Sequence, residues 1–198
     1  MMWPEFETAE REQRHELVLQ GKTVAERVDK NDGAVDEKIF SLVKLNFLEV
    51  SEARLRLIPE SISSLTNLTS LVLKHNSLSV LPDSLTSLTK LKLLDVSSNK
   101  ITKLPTFSKF TQLTSLNLSL NSLEGCLEVE GLDQCCRLSV VDLSGNQLSS
   151  LHSLEQSKLP SLSELTANHN KIESLSSDVA TNWPALKKYD QILMSCQN

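Results

Sequence analysis

One eleven-residue pattern recurs along most of this chain and limits the folds that the chain can adopt. Residues 68–78 read LTSLVLKHNSL, and the same spacing returns as LKLLDVSSNKI, LTSLNLSLNSL, LSVVDLSGNQL and LSELTANHNKI. A weaker copy, LNFLEVSEARL, comes before them. The first leucines of the copies stand at positions 45, 68, 91, 113, 138, 162 and 186, so successive copies begin 22 to 25 residues apart. Copies at this interval predict one structural unit that is stacked repeatedly along the chain.

The alternation inside each copy predicts a short strand. In L-x-L, neighbouring side chains point to opposite faces, so the leucines face inward and the residues between them face solvent. One unit cannot cover its own leucines, whereas stacked units bury a continuous core. The spacing L-x-x-L-x-L-x-x-N-x-L is typical of leucine-rich repeat proteins. We therefore expect an α/β fold, a right-handed horseshoe solenoid with a parallel concave sheet and a helical cap at the N-terminus.

An asparagine recurs at the ninth position of the copies. Where the chain leaves each strand, backbone groups turn inward and need hydrogen-bond partners, and an amide side chain offers both donors and an acceptor. We expect these side chains to form a stacked, structural column. Its members are Asn76, Asn99, Asn121, Asn146 and Asn170. Ala53 takes this position in the copy that opens at Leu45, in keeping with the atypical sequences of terminal repeats.

The repeat register divides the chain into three predicted parts. Residues 1–44 precede the register and predict a helical N-terminal cap that shields the first repeat. Residues 45–187 predict about six repeats and the start of a seventh. Residues 188–198 depart from the pattern, because Gln191 stands where the second leucine of a strand belongs. This divergent tail suggests a fragment or a shortened isoform of a longer protein.

Within the cap, local signals predict three helices. The first runs from Trp3 to Gln20, with Pro4 at its first turn. A capping box that opens at Thr23 predicts a second helix through about Lys30, and a third is expected near Asp36 to Leu42. In the long fourth repeat, glycines at 125 and 131 predict a loop.

Charge and composition limit the partners and the compartment. The net charge of −5 argues against general binding to nucleic acid or to an anionic membrane. No run approaches 18 apolar residues, so we expect no membrane span. The first twenty residues contain five Glu and two Arg, which argues against a secretory signal. We expect a cytoplasmic protein, with the nucleus as the alternative, whose four cysteines are thiols.

The residues between the leucines form the predicted concave face, which combines an apolar centre with acidic surroundings. Such a face suits a protein partner that presents a Lys- or Arg-containing segment. The candidate partner-binding residues are Phe47, Glu49, Val72, Lys74, His75, Leu93, Asp95, Asn117, Leu120, Val140, Asp142, Glu164, Thr166 and His169. The alternative is that small residues are common on such faces and that the contact lies elsewhere. We expect a monomer.

Signatures of catalysis or metal binding are missing from the sequence. The pair His15-Glu16 begins like a zinc-protease helix, but Leu19 stands where the second histidine is required. The chain contains no C-x-x-C motif and no phosphate-binding glycine loop. Cys135 falls in a leucine column, where a packed thiol is expected. We therefore predict a non-enzymatic protein without a cofactor or a metal.

Segments near the start of the chain are more specific than the repeats. They are WPE at 3–5, AERE at 9–12, EL at 16–17, ERV at 26–28 and FLEVS at 47–51. Over residues 3–187 the chain resembles the N-terminal region of the leucine-rich repeat-containing protein 47 family. The resemblance implies an intracellular protein whose repeats are followed by a basic linker and a module similar to the B3/B4 region of the phenylalanyl-tRNA synthetase beta subunit. It also implies RNA or tRNA association as an alternative function, although this sequence contains neither the linker nor the module.

Overall fold

The structure is a computed structural model that describes residues 3–187, and its architecture is a stack of rungs. We call one strand with its return segment a rung. Seven strands form one parallel sheet, namely β1 (Glu16–Gln20), β2 (Phe47–Ser51), β3 (Ser70–Val72), β4 (Leu93–Asp95), β5 (Ser115–Asn117), β7 (Val140–Asp142) and β9 (Glu164–Thr166). They pair in that order, so each rung adds one strand beside the previous one. The predicted α/β leucine-rich repeat solenoid is confirmed.

The return segments are short and irregular. The α-helices are α1 (Pro4–Arg11), α2 (Lys22–Lys30), α3 (His152–Gln156) and α4 (Val179–Asn182). Short 3-10 helices span Glu37–Ser41, Glu60–Ser64, Asp83–Ser87 and Leu132–Gln134. Two of them follow Pro59 and Pro82, and the carbonyl of each proline accepts a hydrogen bond from the backbone amide three residues later. Proline suits these turns because its fixed φ starts a turn, and it donates no hydrogen bond of its own. Among the residues described, no helix is long and apolar enough to cross a membrane.

The core lies between the sheet and the return segments. The middle residues of successive strands pair in register and are at most 3% exposed; they are Leu48, Leu71, Leu94, Leu116, Val141 and Leu165. A second buried column lies three residues before each first leucine and consists of Leu42, Leu65, Leu88, Phe110, Cys135, Leu159 and Trp183. Burying one such leucine contributes about 1.5–3 kcal/mol to folding. The stacked leucines therefore join all rungs into one core.

The predicted helix from Trp3 to Gln20 is wrong in its second half. Helix α1 ends at Arg11, and residues 16–20 form strand β1 in parallel register with β2. The segment ELVLQ alternates exposed and buried residues, with Leu17 and Leu19 inward. This period of two fits a strand, and burial against β2 outweighs any local preference for helix. The sheet therefore begins inside the segment that was assigned to the helical cap.

The capping box at Thr23 is also wrong. Helix α2 starts at Lys22, one residue before the predicted cap residue Thr23, and Gly21 precedes it with φ 84° and ψ −177°. No side chain caps this helix. The next short helix lies close to its predicted place, over Glu37–Ser41, where the Asp36 carboxylate accepts a hydrogen bond from the Lys38 amide at 2.9 Å.

The loop predicted in the fourth repeat contains regular structure. Strand β6 (Glu124–Cys126) pairs in parallel with β8 (Gln147–Ser150) to form a small second sheet. This pairing was not expected, because all three residues of β6 are exposed and give no periodic signal. The divergent tail at 188–198 lies outside the described residues.

Candidate partner-binding face

The solvent-facing side of the seven-stranded sheet is the candidate site, and we call it the concave face. Each short strand places two half-buried or exposed side chains on this face, one on each side of its inward residue. The register aligns them across the sheet, so Leu93 and Asp95 lie between neighbours from β3 and β5. Candidate residues that share this face are Phe47, Glu49, Val72, Leu93, Asp95, Asn117, Val140, Asp142, Glu164 and Thr166.

Two carboxylates on the concave face have fixed orientations. Asp95 Oδ1 accepts a hydrogen bond from the Ser97 amide at 2.9 Å, and Asp142 Oδ1 accepts one from the Ser144 amide at 2.9 Å. Within residues 3–187, the second carboxylate oxygen of each has no partner. An oriented charge with a free oxygen is suited to a basic side chain, because little side-chain entropy remains to be lost on binding.

Glu49 is less available to a partner than these two aspartates. The Lys74 ammonium lies 3.9 Å from its carboxylate, and the Ser51 hydroxyl donates to that carboxylate at 2.7 Å. Only 17% of the Glu49 side chain is exposed. The carboxylates of Asp95 and Asp142 are therefore more available to a basic partner than that of Glu49.

The eighth position of each repeat lies on a turn and not on the sheet. His75, Leu120 and His169 all have positive φ, between 54° and 56°. Leu120 is 58% exposed and stands over Gly145, where an added Cβ would lie 2.6 Å from Leu120 Cδ2. Among the predicted apolar residues, Phe47, Val72, Leu93 and Val140 therefore lie on the sheet itself, while Leu120 lies at the rim. Four strand steps separate His75 from His169.

The asparagines form a hydrogen-bonded column behind this rim. Asn99 Oδ1 accepts from the Leu78 amide at 3.0 Å, and Asn99 Nδ2 donates to the Leu73 and Val96 carbonyls at 2.9 and 3.0 Å. Each side chain thus connects its own rung to the preceding one. The same bridging is made by Asn76, Asn121, Asn146 and Asn170.

Sequence reasoning missed the contribution of β1 to this face. Glu16 pairs in register with Phe47, and Val18 pairs with Glu49, so both extend the face beyond the first predicted repeat. Val18 is 44% exposed. The alternation of Leu17 and Leu19 was the available signal, but an arginine at the first repeat position and a lysine at the ninth obscured it.

The described residues contain no candidate metal site, and the cysteine predicted to be packed lies in the core. No group of three or more His, Cys, Asp or Glu side chains in residues 3–187 could bind a metal ion. Burial raises the pKa of the Cys135 thiol to about 12, so this group is protonated at neutral pH. It contacts the Phe107 carbonyl at 3.6 Å, whereas Cys126 and Cys136 are exposed free thiols. Cys135 is therefore a packed core residue.

The stacked parallel rungs, the asparagine column and the exposed sheet face together define a leucine-rich repeat protein. The chain belongs to the family described as the leucine-rich repeat region, whose sequence model matches residues 18–197. That match begins inside β1. The family and its fold are typical of protein–protein interaction and are typically non-enzymatic.

Two solved structures illustrate the similarity. An internalin (inlF) from Listeria monocytogenes is 26% identical with a TM-score of 0.66, and the match covers 78% of this chain and 43% of that one. The ectodomain of the receptor kinase GASSHO1/SCHENGEN3 from Arabidopsis thaliana, in complex with Casparian strip integrity factor 2, is 25% identical with a TM-score of 0.63. That match covers 78% of this chain and 20% of the plant chain. The chain therefore spans less than half of either relative.

Proposed function

We propose that this chain is a non-enzymatic interaction module that binds a protein partner through its concave face. The partner presents a segment with Lys or Arg side chains. The observation that carries the proposal is the pair of oriented carboxylates, Asp95 and Asp142, each with one unpaired oxygen beside half-exposed apolar residues. An apolar centre supplies affinity, and complementary charge supplies specificity and orientation.

The spacing of the two carboxylates further defines the partner. They lie on β4 and β7, which are two strand steps apart, or roughly 9.6 Å at the usual spacing of parallel strands. A peptide in the polyproline II conformation makes one full turn in three residues and rises about 9.3 Å, so side chains three residues apart share one face at that distance. A segment with basic residues at every third position therefore matches both aspartates.

The decisive variant removes charge and keeps structure. Asn117 occupies the equivalent position between the two aspartates, and its Oδ1 accepts from the Ser119 amide at 3.0 Å, as the carboxylates do in their rungs. Asp95→Asn with Asp142→Asn should therefore preserve the local hydrogen bonds. A matched control is Asp83→Asn with Asp178→Asn, which removes the same charge at two exposed sites outside the sheet.

The test measures binding of a fluorescent peptide with Lys at every third position to the full chain. We expect the concave variant to weaken binding about five- to tenfold and the control variant to change it less than twofold. Equal losses in both variants, or binding that neither changes, would refute the proposal. An electrophoretic shift assay with a short RNA duplex separates this function from the RNA association that the family resemblance implies, because neutralising Asp95 and Asp142 would not weaken RNA binding.

A further inference from the structure

A second surface lies along the edge where the strands begin, and its charge is opposite to that of the concave face. Two rows of residues form this surface in the rungs from that of Leu45 to that of Leu162. One row consists of the residues directly before the first leucine of each rung, and the other of the residues directly after it. Going along the chain, these twelve positions hold Lys44, Asn46, Asn67, Thr69, Lys90, Lys92, Gln112, Thr114, Arg137, Ser139, Ser161 and Ser163. They include four cations and no acid, in a chain whose net charge is −5.

The cations in the first of these rows alternate with amide side chains that fix their position. Lys44 Nζ donates to Gln13 Oε1 at 2.7 Å, Lys90 Nζ to Asn67 Oδ1 at 2.7 Å, and Arg137 Nη1 to Gln112 Oε1 at 2.8 Å. In each pair the amide belongs to the preceding rung. An amide oxygen orients a cation without neutralising it, so each positive charge stays available.

These cations also have no acidic partner in the described part of the chain. The ion pairs found there involve other basic residues, namely Arg11, Arg14, Arg27, Arg54 and Lys74. Lys44, Lys90, Lys92 and Arg137 are all exposed. Lys92 shares a rung with Lys90, on the other side of buried Leu91. We call Lys44, Lys90, Lys92 and Arg137 the basic edge.

We propose that the basic edge binds an acidic protein segment whose carboxylates recur at intervals of roughly 10 Å. The oriented cations stand on alternate rungs, two strand steps apart, and each step is about 4.8 Å. In a segment with the polyproline II conformation, Asp or Glu at every third residue share one face and recur at about 9.3 Å, which reproduces this interval. The spacing is also about one Debye length at 0.1 M salt, so the cations repel one another little before the partner binds.

The same residues favour a protein segment over a nucleic acid. None of the twelve positions is aromatic, so this edge offers no platform on which bases could stack. Hydroxyl groups often donate hydrogen bonds to phosphate, but those of Thr69, Thr114 and Ser139 each donate instead to a backbone carbonyl at 2.9 Å. The net charge of −5 repels a polyanion at long range more than it repels a few spaced carboxylates.

The experiment uses the full chain and a fluorescent peptide with Asp at every third position. A peptide of the same composition with its Asp residues clustered is the comparison ligand. The variant is Lys44→Gln, Lys90→Gln and Arg137→Gln together. The control, Lys30→Gln, Lys100→Gln and Lys171→Gln, removes three exposed positive charges elsewhere. Thermal melts first establish that both variants fold.

We expect the spaced peptide to bind the parent chain at least threefold more tightly than the clustered one, and the edge variant to weaken its binding at least tenfold. The control variant should change it less than twofold. Lys44→Arg with Lys90→Arg should retain binding, because the charge is kept. Absence of binding, equal losses in edge and control variants, or no preference for the spaced peptide would overturn the proposal.

Two further binding measurements test whether the basic edge binds something other than an acidic protein segment. Tighter binding of a short RNA duplex or of phosphatidylserine vesicles, lost in the same edge variant, would overturn the assignment to a protein segment. Asp95→Asn with Asp142→Asn should leave binding of the acidic peptide intact. The two surfaces are therefore tested separately, and failure of the concave proposal does not affect this one.

Discussion

The central rungs and the first rung reach the same strand pairing with different side chains. From the rung of Leu68 onward, an asparagine at the ninth position bridges each rung to the one before it. In the first rung, the register of β1 with β2 places Arg14 at the first position and Lys22 at the ninth. Helix α2 follows instead, and it buries Val24 and Val28 against the sheet. The same strand pairing is thus stabilised by an asparagine column in the central rungs and by the buried side of helix α2 in the first rung.

The comparison shows which part of the repeat signature is general. Inward residues on the strand are required in every rung, because they form the shared core. The asparagine is present in every rung from that of Leu68 to that of Leu162, where it bonds inward-turned backbone groups, whereas Ala53 takes its place in the rung of Leu45. At the terminal rung, a charged Lys22 is tolerated because it is exposed.

The largest expected effect tests whether both regions form one cooperative core. Leu94→Ala in β4 and Leu19→Ala in β1 each remove a side chain that is fully buried. Each should lower the free energy of unfolding by about 2–5 kcal/mol, through lost burial and a cavity. Chemical denaturation followed by circular dichroism measures both. If Leu19→Ala left the main transition unchanged, the first rung would be a separate unit and the comparison would fail.

A smaller effect is expected at the ninth position. The Asn99 side chain forms hydrogen bonds with three backbone groups, and Asn99→Ala leaves these groups without partners. This should lower the free energy of unfolding by about 1–3 kcal/mol. The equivalent change in the first rung, Lys22→Ala, should shift stability by less than about 0.5 kcal/mol, since the side chain is exposed. Equal shifts in the two thermal melts would show that the asparagine column has no special role.

The turn glycines should give effects of intermediate size for two different reasons. Gly21→Ala should cost about 1–3 kcal/mol, because φ 84° with ψ −177° is a conformation that only glycine adopts easily. Gly145→Ala should cost about 1–2 kcal/mol from its φ of 67°, and more from the contact with Leu120 Cδ2. A double-mutant cycle with Leu120→Ala measures that contact. If Gly145→Ala cost the same free energy of unfolding with and without Leu120→Ala, the contact would not contribute to that cost.

The smallest effect on stability is expected on the concave face. Asp95→Asn with Asp142→Asn should change the free energy of unfolding by less than about 0.5 kcal/mol, because an amide oxygen can accept the same backbone hydrogen bonds. Differential scanning calorimetry of this variant and of its parent measures the change. A large destabilisation would mean that these aspartates are structural, and their loss could no longer report on partner binding.

Several features of the fold could be predicted from the sequence because they depend on local periodicity. The leucine spacing predicted the parallel sheet, and its intervals placed β2, β3, β4, β5, β7 and β9. The alternation within each copy likewise predicted which strand side chains share the concave face, whereas the predicted His75, Leu120 and His169 lie on turns beside it. Strand β1 was missed because its neighbours in sequence, including Glu12 and Arg14, match a helix as well as a strand.

The sequence by itself determined that the aliphatic residues are buried between stacked rungs, because one repeat of 22 to 25 residues cannot cover the leucines of its own strand. Only the tertiary structure decided how charge is distributed. Residues such as Gln13, Lys44, Asn67 and Lys90 are far apart along the chain, and the rung stacking brings them into one edge. Net charge sums over all surfaces, whereas a partner meets one surface at a time. The acidic residues of the concave face could be assigned from the repeat register, whereas the hydrogen-bonded pairs of the basic edge became visible only when the rungs were stacked.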